Sequence, residues 1–377
     1  MERITDLLRQ LVAIDSVNPD LVPGAAGERA IAEFVARWLE DVGVEVAWDE
    51  PVPGRPSVVG IVRGSGGGRS LLLNAHMDTV GVAGMERPHE PRVEGRRLYG
   101  RGAYDMKGGL AAIMIAVAEA RKLSLRGDVI LTAVADEEYA SLGSQSVLKQ
   151  WRADAAIVTE PTSLRLCVAH KGFIWLDVVT QGRAAHGSRY DLGRDAIVMM
   201  GQVLVGLGEL DRSLRAAPSH RLLGSGSLHA SLIEGGQELS SYPARCALGV
   251  ERRTIPGETQ QQVEAEVEAI LERCKAADPS FEAALKTTLV REPFEVPEEA
   301  PIVQTLLRQA SAKLADTPQI YGDTPWMDAA LFAAAGIPTV VFGPGGAGAH
   351  AVVEWADLEQ VQRCSEILLA TLEEFCA

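Results

Sequence analysis

The chain has 377 residues, 47% of them hydrophobic and 23% charged, which is core material for a globular protein, and its length predicts two domains. Lys plus Arg against Asp plus Glu is 36 − 51 = −15; this balance argues against a nucleic-acid or anionic-membrane partner and leaves room for a small anionic substrate held by one local cation. The five cysteines (Cys167, Cys246, Cys274, Cys364 and Cys376) are scattered and form no C-x-x-C pair, so neither a thiolate zinc site nor a disulfide framework is expected.

In chain order, Ile4, Leu7, Leu8, Leu11 and Val12 recur at helical spacing among Glu2, Arg3, Asp6 and Arg9. This predicts an amphipathic helix over 3–14 and not a signal peptide. No later apolar run reaches membrane-spanning length, so a cytoplasmic protein is expected. A second helix is predicted over 28–42, ended by Gly43, with strands over 44–48 and 57–63. The glycine-rich 64–70 segment resembles a phosphate loop but lacks the lysine and the following helix, so a flexible hairpin turn is expected. Leu71, Leu72 and Leu73 read as a buried strand, after which His76 and Asp78, two residues apart, share one face. Alone, that pair reads as a histidine satisfied by a neighbouring acid. A long loop then leads to Asp105, either a helix cap or a residue whose flanking glycines allow close backbone approach, and to an apolar helix over 110–122. Further buried strands over 129–135 and 155–159 end in Glu137-Glu138 and in Glu160.

Near Lys171 the rhythm changes. Strands over 173–182, 226–233, 244–253 and 281–290, with helices over 194–210 and 259–276, spell β-α-β-β-α-β, a ferredoxin-like unit. The expected fold class is therefore α/β, with a first domain of 1–172 plus 291–377 and an inserted domain of 173–290. The returning segment predicts helices over 301–314 and 328–335, a strand over 339–342 and a final helix over 357–375. Residues 343–348 match G-x-G-x-x-G/A, but a proline interrupts the match and no helix begins at the glycines. We read a glycine loop that delivers His350.

Four apolar strands thus end in His76/Asp78, Glu137/Glu138, Glu160 and the loop to His350, and ligands of open α/β sheets bind at the carboxyl ends of strands. So many acids brought together without cations would be costly, and two divalent metals would resolve the repulsion. A histidine/carboxylate set without thiolate suits zinc, with cobalt or manganese as substitutes.

The segments NAHMDTV, LYGRGAYDMKGG, ADEEYASLGS, VTEPT, GRAAHGS, ERRTIPGET and GPGGAGAH together resemble the acetylornithine deacetylase/succinyl-diaminopimelate desuccinylase family, which includes aminoacylases and glutamate carboxypeptidases. The resemblance implies a mixed-sheet di-zinc exopeptidase-like catalytic domain with an inserted dimerisation or lid domain. It implies His76, Asp105 and Glu160 on one metal and the bridging Asp105, Glu138 and His350 on the other. Glu137 would be the general base, and Asp78 would hold the His76 ring from behind. His186 would stabilise the oxyanion in a neighbouring subunit's site, which requires a homodimer. Arg253 would bind the substrate carboxylate, with Arg252 pointing to the opposite face. Ser240 stands where many members have asparagine, so one substrate contact is altered. The expected substrate is an N-acyl amino acid, or alternatively a short peptide; a non-catalytic binding or assembly role is disfavoured by the intact metal residues.

Overall fold

The apolar runs become the interior strands of one mixed sheet. In the computed structural model, which describes residues 1–377, the chain divides into two compact units. The first comprises Met1–Val168, Val296–Tyr321 and Met327–Ala377; the second comprises Ala169–Glu295 and Gly322–Trp326. The pattern-based boundaries, 173–290 for the insertion, did not anticipate the 322–326 piece.

The first unit opens with helices α1 (Glu2–Ala13) and α2 (Arg29–Asp41), then strands β1 (Glu45–Asp49), β2 (Ser57–Val62) and β3 (Leu71–His76). Helix α3 (Gly108–Ala120), β4 (Val129–Val134), α4 (Leu142–Gln150), β5 (Ala155–Val158) and β6 (Leu166–His170) follow. Strands β2 to β5 are buried at every position, as expected of strands covered on both faces. Parallel neighbours need crossover connections, and α3 and α4 supply them between β3, β4 and β5. Helix α3 is buried all round except at Glu119, because it lies inside the unit and touches β3, α1 and the C-terminal helix.

The second unit contains β7 (Gly172–Gln181), α5 (Ala196–Ala216), β8 (Ser227–Gly235), β9 (Arg245–Thr254), α6 (Gln260–Ala277) and β10 (Ala283–Arg291). Its sheet order, β8-β9-β7-β10, is antiparallel throughout, the arrangement of the ferredoxin-like unit. Ile174, Leu176 and Val178 of β7 pack with Met200 and Val203 of α5 and Val267 of α6. The alternate positions Phe173, Trp175 and Asp177 lie on the other face and are at least partly exposed. Helix α6 begins with a reciprocal cap between Thr259 and Gln262.

The chain then returns to the first unit through α7 (Pro301–Lys313), α8 (Ala329–Ala334), β11 (Thr339–Val341) and α9 (Leu358–Phe375). The main sheet runs β1-β2-β4-β3-β5-β11-β6. Strands β4, β3, β5 and β11 are contiguous and mutually parallel, so their carboxyl ends lie along one edge. No helix is long and apolar enough to cross a membrane, and all five cysteines are free and buried.

Three expectations are corrected. The glycine-rich 64–70 segment is not a hairpin turn, because β4 lies between β2 and β3 and pairs with both. The segment crosses against the 126–127 turn instead: a Cβ on Gly127 would lie 1.8 Å from the Arg69 carbonyl oxygen, so that turn requires glycine. The long loop before Asp105 contains short strands, Arg92–Glu94 and Arg97–Tyr99, and the latter pairs with Trp355–Asp357. Helix α4 and strand β6 had no counterpart in the periodicity; α4 reads LGSQSVLKQ, too polar and small to carry an apolar stripe.

Candidate metal centre

Each candidate ligand stands at or beyond the end of one of the four parallel strands or on α3's lead-in. His76 is the last residue of β3, Glu137 and Glu138 follow β4, Glu160 follows β5, and β11 leads to His350. Asp105 lies where the backbone departs from helical geometry ahead of α3. The glycines beside it serve close approach: a Cβ on Gly109 would sit 2.3 Å from the Thr159 carbonyl oxygen, next to Glu160.

These side chains converge. His76 Nε2 lies 3.3 Å from Asp105 Oδ1, 3.7 Å from Glu160 Oε1 and 4.0 Å from Glu137 Oε2. His350 Nε2 lies 3.0 Å from Glu138 Oε2 and 3.5 Å from Asp105 Oδ2. Two candidate metal-binding clusters result, His76–Glu137–Glu160 and His76–Asp105–Glu138, each with its ligand atoms within 4.8 Å of one another. The first holds Glu137 where the sequence reading put Asp105.

The electrostatics are those of a site short of positive charge. Burial, reinforced by neighbouring carboxylates, pushes Glu137, Glu138 and Glu160 above the usual carboxylate range. Burial also opposes charge on Asp105, but hydrogen bonds to His350 and His76 outweigh it and hold that carboxyl low. His350 is raised to about 10 by its bonds to Asp105 and Glu138. His76 is buried, which disfavours its cation, yet Glu160, Asp105 and Glu137 hold it well above the ordinary imidazole value. Four clustered carboxylates facing two imidazoles, with no thiolate, form a donor set that fits two divalent cations.

The supporting contacts refine the role of Asp78. His76 Nδ1 lies 2.9 Å from the carbonyl oxygen of Asp78 and 3.6 Å from its carboxylate, so the carbonyl sets the ring and leaves Nε2 facing the acids. The Asp78 carboxylate instead accepts from the backbone N–H groups of Glu137 (3.1 Å) and Glu138 (3.2 Å) and from Asn18 Nδ2 (2.8 Å). It thereby anchors the two glutamates rather than the histidine.

Several participants were missed from the sequence. Glu354 is fully buried, paired with Arg101 at 2.7 Å, and accepts from the N–H groups of Gly102, Tyr104 and Asp105, which fixes the Asp105 turn. Asn18 donates to Asp136 as well as to Asp78, and Arg55 pairs with Asp136 and Glu28. Buried Asp328 accepts from Ser144 Oγ. None belongs to a spacing pattern; each is a lone polar residue whose partner lies far along the chain. The sequence contains one weak signal, Asn18 beside the helix-stopping Pro19.

The remaining predicted residues belong to the second unit. Arg252 is buried, pairing with Glu258 and Glu266, while Arg253 faces the other side and donates from Nε to Glu251 at 2.6 Å. His186 is exposed, lies 2.8 Å from Ser188 Oγ, and forms a one-residue antiparallel bridge with Ser241. The adjacent Gly187 N–H donates to the Ser240 carbonyl, so the His186 and Ser240 loops lie together.

Comparisons with known proteins identify similar chains and a similar fold. Residues 72–374 match the model of peptidase family M20/M25/M40. The chain is 30% identical to acetylornithine deacetylase of Myxococcus xanthus, covering 98% of this chain and 96% of that protein. It is 28% identical to N-formyl-4-amino-5-aminomethyl-2-methylpyrimidine deformylase of Bacillus subtilis (strain 168), covering 100% and 95%. Among solved structures, the Bacillus subtilis YXEP protein, described as a dinuclear metal binding peptidase, superposes with a TM-score of 0.78 at 16% identity, covering 100% of this chain and 98% of that one.

Proposed function

The chain belongs to peptidase family M20/M25/M40, and from that premise we propose that it is an amidohydrolase that deacylates N-acyl amino acids, with Glu137 as general base. The observation that carries this reading is the meeting of four parallel strand ends at one cluster, where Asp78 ties down Glu137 and Glu138 side by side. His76, Asp105 and Glu160 would hold one divalent ion, and Asp105, Glu138 and His350 a second. Bound there, zinc (or cobalt or manganese) supplies Lewis acidity to the scissile carbonyl and to the attacking water. Glu137 takes the water's proton and passes it to the leaving nitrogen. Its neighbour Glu138, held by the next amide along, is directed toward His350. The two curated relatives described above are both named as enzymes that remove an acyl group from nitrogen, which favours deacylation over peptide hydrolysis.

In the second unit, Arg253 offers its terminal nitrogens to the substrate carboxylate and His186 donates to the developing oxyanion. The two stand at opposite ends of the same sheet: Arg253 pairs with Phe173 and Arg245 with Gln181, eight residues apart along β7. At the rise of an extended strand that is roughly 25 Å, longer than an N-acyl amino acid. This separation favours a homodimer in which His186 acts in trans on the neighbouring subunit's substrate. Strand β8 supports that assembly, since it is a sheet edge whose Leu232 and Ile233 are exposed, as are Val198 and Val205 of α5. Ser240, beside His186, would contact substrate from the same side.

Assay of a panel of N-acyl amino acids and dipeptides, with and without chelator, tests the reaction. We expect chelator-sensitive release of amino acids from the acylated compounds, restored by zinc, cobalt or manganese. Faster cleavage of dipeptides would shift the assignment to a peptidase using the same centre, and full activity in chelator would overturn the metal reading. For the shared site, mixing inactive His186→Ala with inactive Glu137→Gln subunits should regenerate activity, because the mixed dimer contains one site with both residues intact. No recovery despite demonstrated subunit exchange would place His186 outside the neighbour's site.

A further inference from the structure

The open face of the second unit's sheet carries an aromatic surface that the hydrolytic reaction does not itself require. Strand register aligns Arg253, Phe173 and Arg291 in one cross-strand row, and Glu251, Trp175 and Leu289 in the next. Residues two apart on a strand share a face, so both rows lie on the side that α5 and α6 leave uncovered. Trp326, from the 322–326 piece of the same unit, stands edge-on to Phe173 with centroids 6.3 Å apart and planes at 86°. Phe173 and Trp175 are tilted at 38°, with centroids 5.4 Å apart.

These rings are held in place although Trp175 is 46% exposed. Glu251 spends one oxygen on Trp175 Nε1 (2.8 Å) and the other on Arg253 Nε (2.6 Å), locking the indole and the guanidinium side by side. Trp326 Nε1 donates to the Glu292 carbonyl at 3.1 Å. The Arg253 guanidinium lies 5.1 Å from the Phe173 ring centre. An exposed ring whose rotamer is already fixed has little ordering entropy left to lose on binding a ligand. A cationic arginine stacked on that surface suits a ligand with an anionic end and a flat apolar end.

We propose that Phe173 and Trp175, walled edge-on by Trp326, form a stacking platform for the side chain of the substrate, making the substrates N-acyl aromatic amino acids whose carboxylate lies on Arg253. This rests on the amidohydrolase reading above. Aromatic pairing contributes beyond simple burial, so removing one ring of the platform should cost about three- to tenfold in selectivity. With metal-loaded enzyme, kcat/KM for N-acetyl-L-phenylalanine should exceed that for N-acetyl-L-alanine by about tenfold or more, and the ratio should fall toward one in Trp175→Ala and Phe173→Leu. Equal rates in the parent enzyme, or a ratio unchanged in both variants, would overturn the platform; an unchanged ratio with a lowered Tm would make the rings a structural contact. If no acylated amino acid is cleaved, the reaction assignment fails separately, and calorimetric binding decides the platform. Selective binding of the phenylalanine compound that is lost in Trp175→Ala upholds it, and absence of such binding overturns it.

Discussion

Replacing Glu137 by glutamine is expected to lower kcat by about two to four orders of magnitude while leaving the metal content intact. Glutamine keeps the size of the side chain, and the bond that anchors this position runs from its backbone N–H to Asp78, so the local fold survives. What disappears is the ability to accept a proton from water. The measurement also decides between two geometries, because Glu137 Oε2 lies within 4.0 Å of His76 Nε2 and groups with His76 and Glu160 as a candidate ligand. Elemental analysis showing two equivalents of metal in an inactive variant assigns Glu137 as the base. Loss of one equivalent would make it a ligand, and near-normal turnover would place the base elsewhere.

The second large effect is expected at a residue that pairs with none of the proposed metal ligands. Arg55→Met should destabilise the first unit by about 3–5 kcal/mol, the usual cost of leaving buried charges without a partner. Arg55 donates from Nε and Nη2 to Glu28 at 2.7 and 2.8 Å and from Nη2 to Asp136 at 2.7 Å, and both acids are fully buried. Asp20 also pairs with Arg55. Even with Arg55 present, burial holds the Glu28 carboxyl above its ordinary value, so Glu28 depends on the arginine for its charge. Asp136 shares the Asn18 amide with Asp78, and Asp78 holds Glu137 and Glu138, so the loss should reach the metal centre as weakened metal retention. Denaturant midpoints of Arg55→Met and of Arg55→Met/Glu28→Gln test the cause, since neutralising Glu28 should recover part of the loss. Equal midpoints for both variants would show that the uncompensated charge is not the source.

Much of this molecule is legible in its sequence, for reasons that differ between segments. Leu71–Leu73, 129–135 and 339–342 are short apolar runs bounded by polar residues or by proline and glycine, and the burial of both sheet faces favours such runs in parallel strands. The alternation along 173–182 shows a strand with one buried face and reflects a sheet covered by helices on one side only. Because His76, Glu137, Glu138 and Glu160 each stand at or just after the end of an apolar run, their place at a strand terminus is legible in the sequence.

What the sequence determined by itself is therefore local: which runs are strands, which residue ends each, and that the ends carry imidazole and carboxylate. Strand order was decided only by the tertiary structure, since neither β2 nor β3 specifies that β4 will lie between them, and the expected hairpin at 64–70 failed for that reason. The burial of Glu354 behind Asp105 and the chain of Arg55, Asp136, Asn18 and Asp78 were likewise invisible, because each contact joins residues tens to hundreds of positions apart. The same holds for Asp78, whose spacing to His76 predicts a shared face but not which of its oxygens meets the ring. Period and composition report the environment of a residue; the identity of its partner is set by packing, which brings together segments that carry no mark of one another.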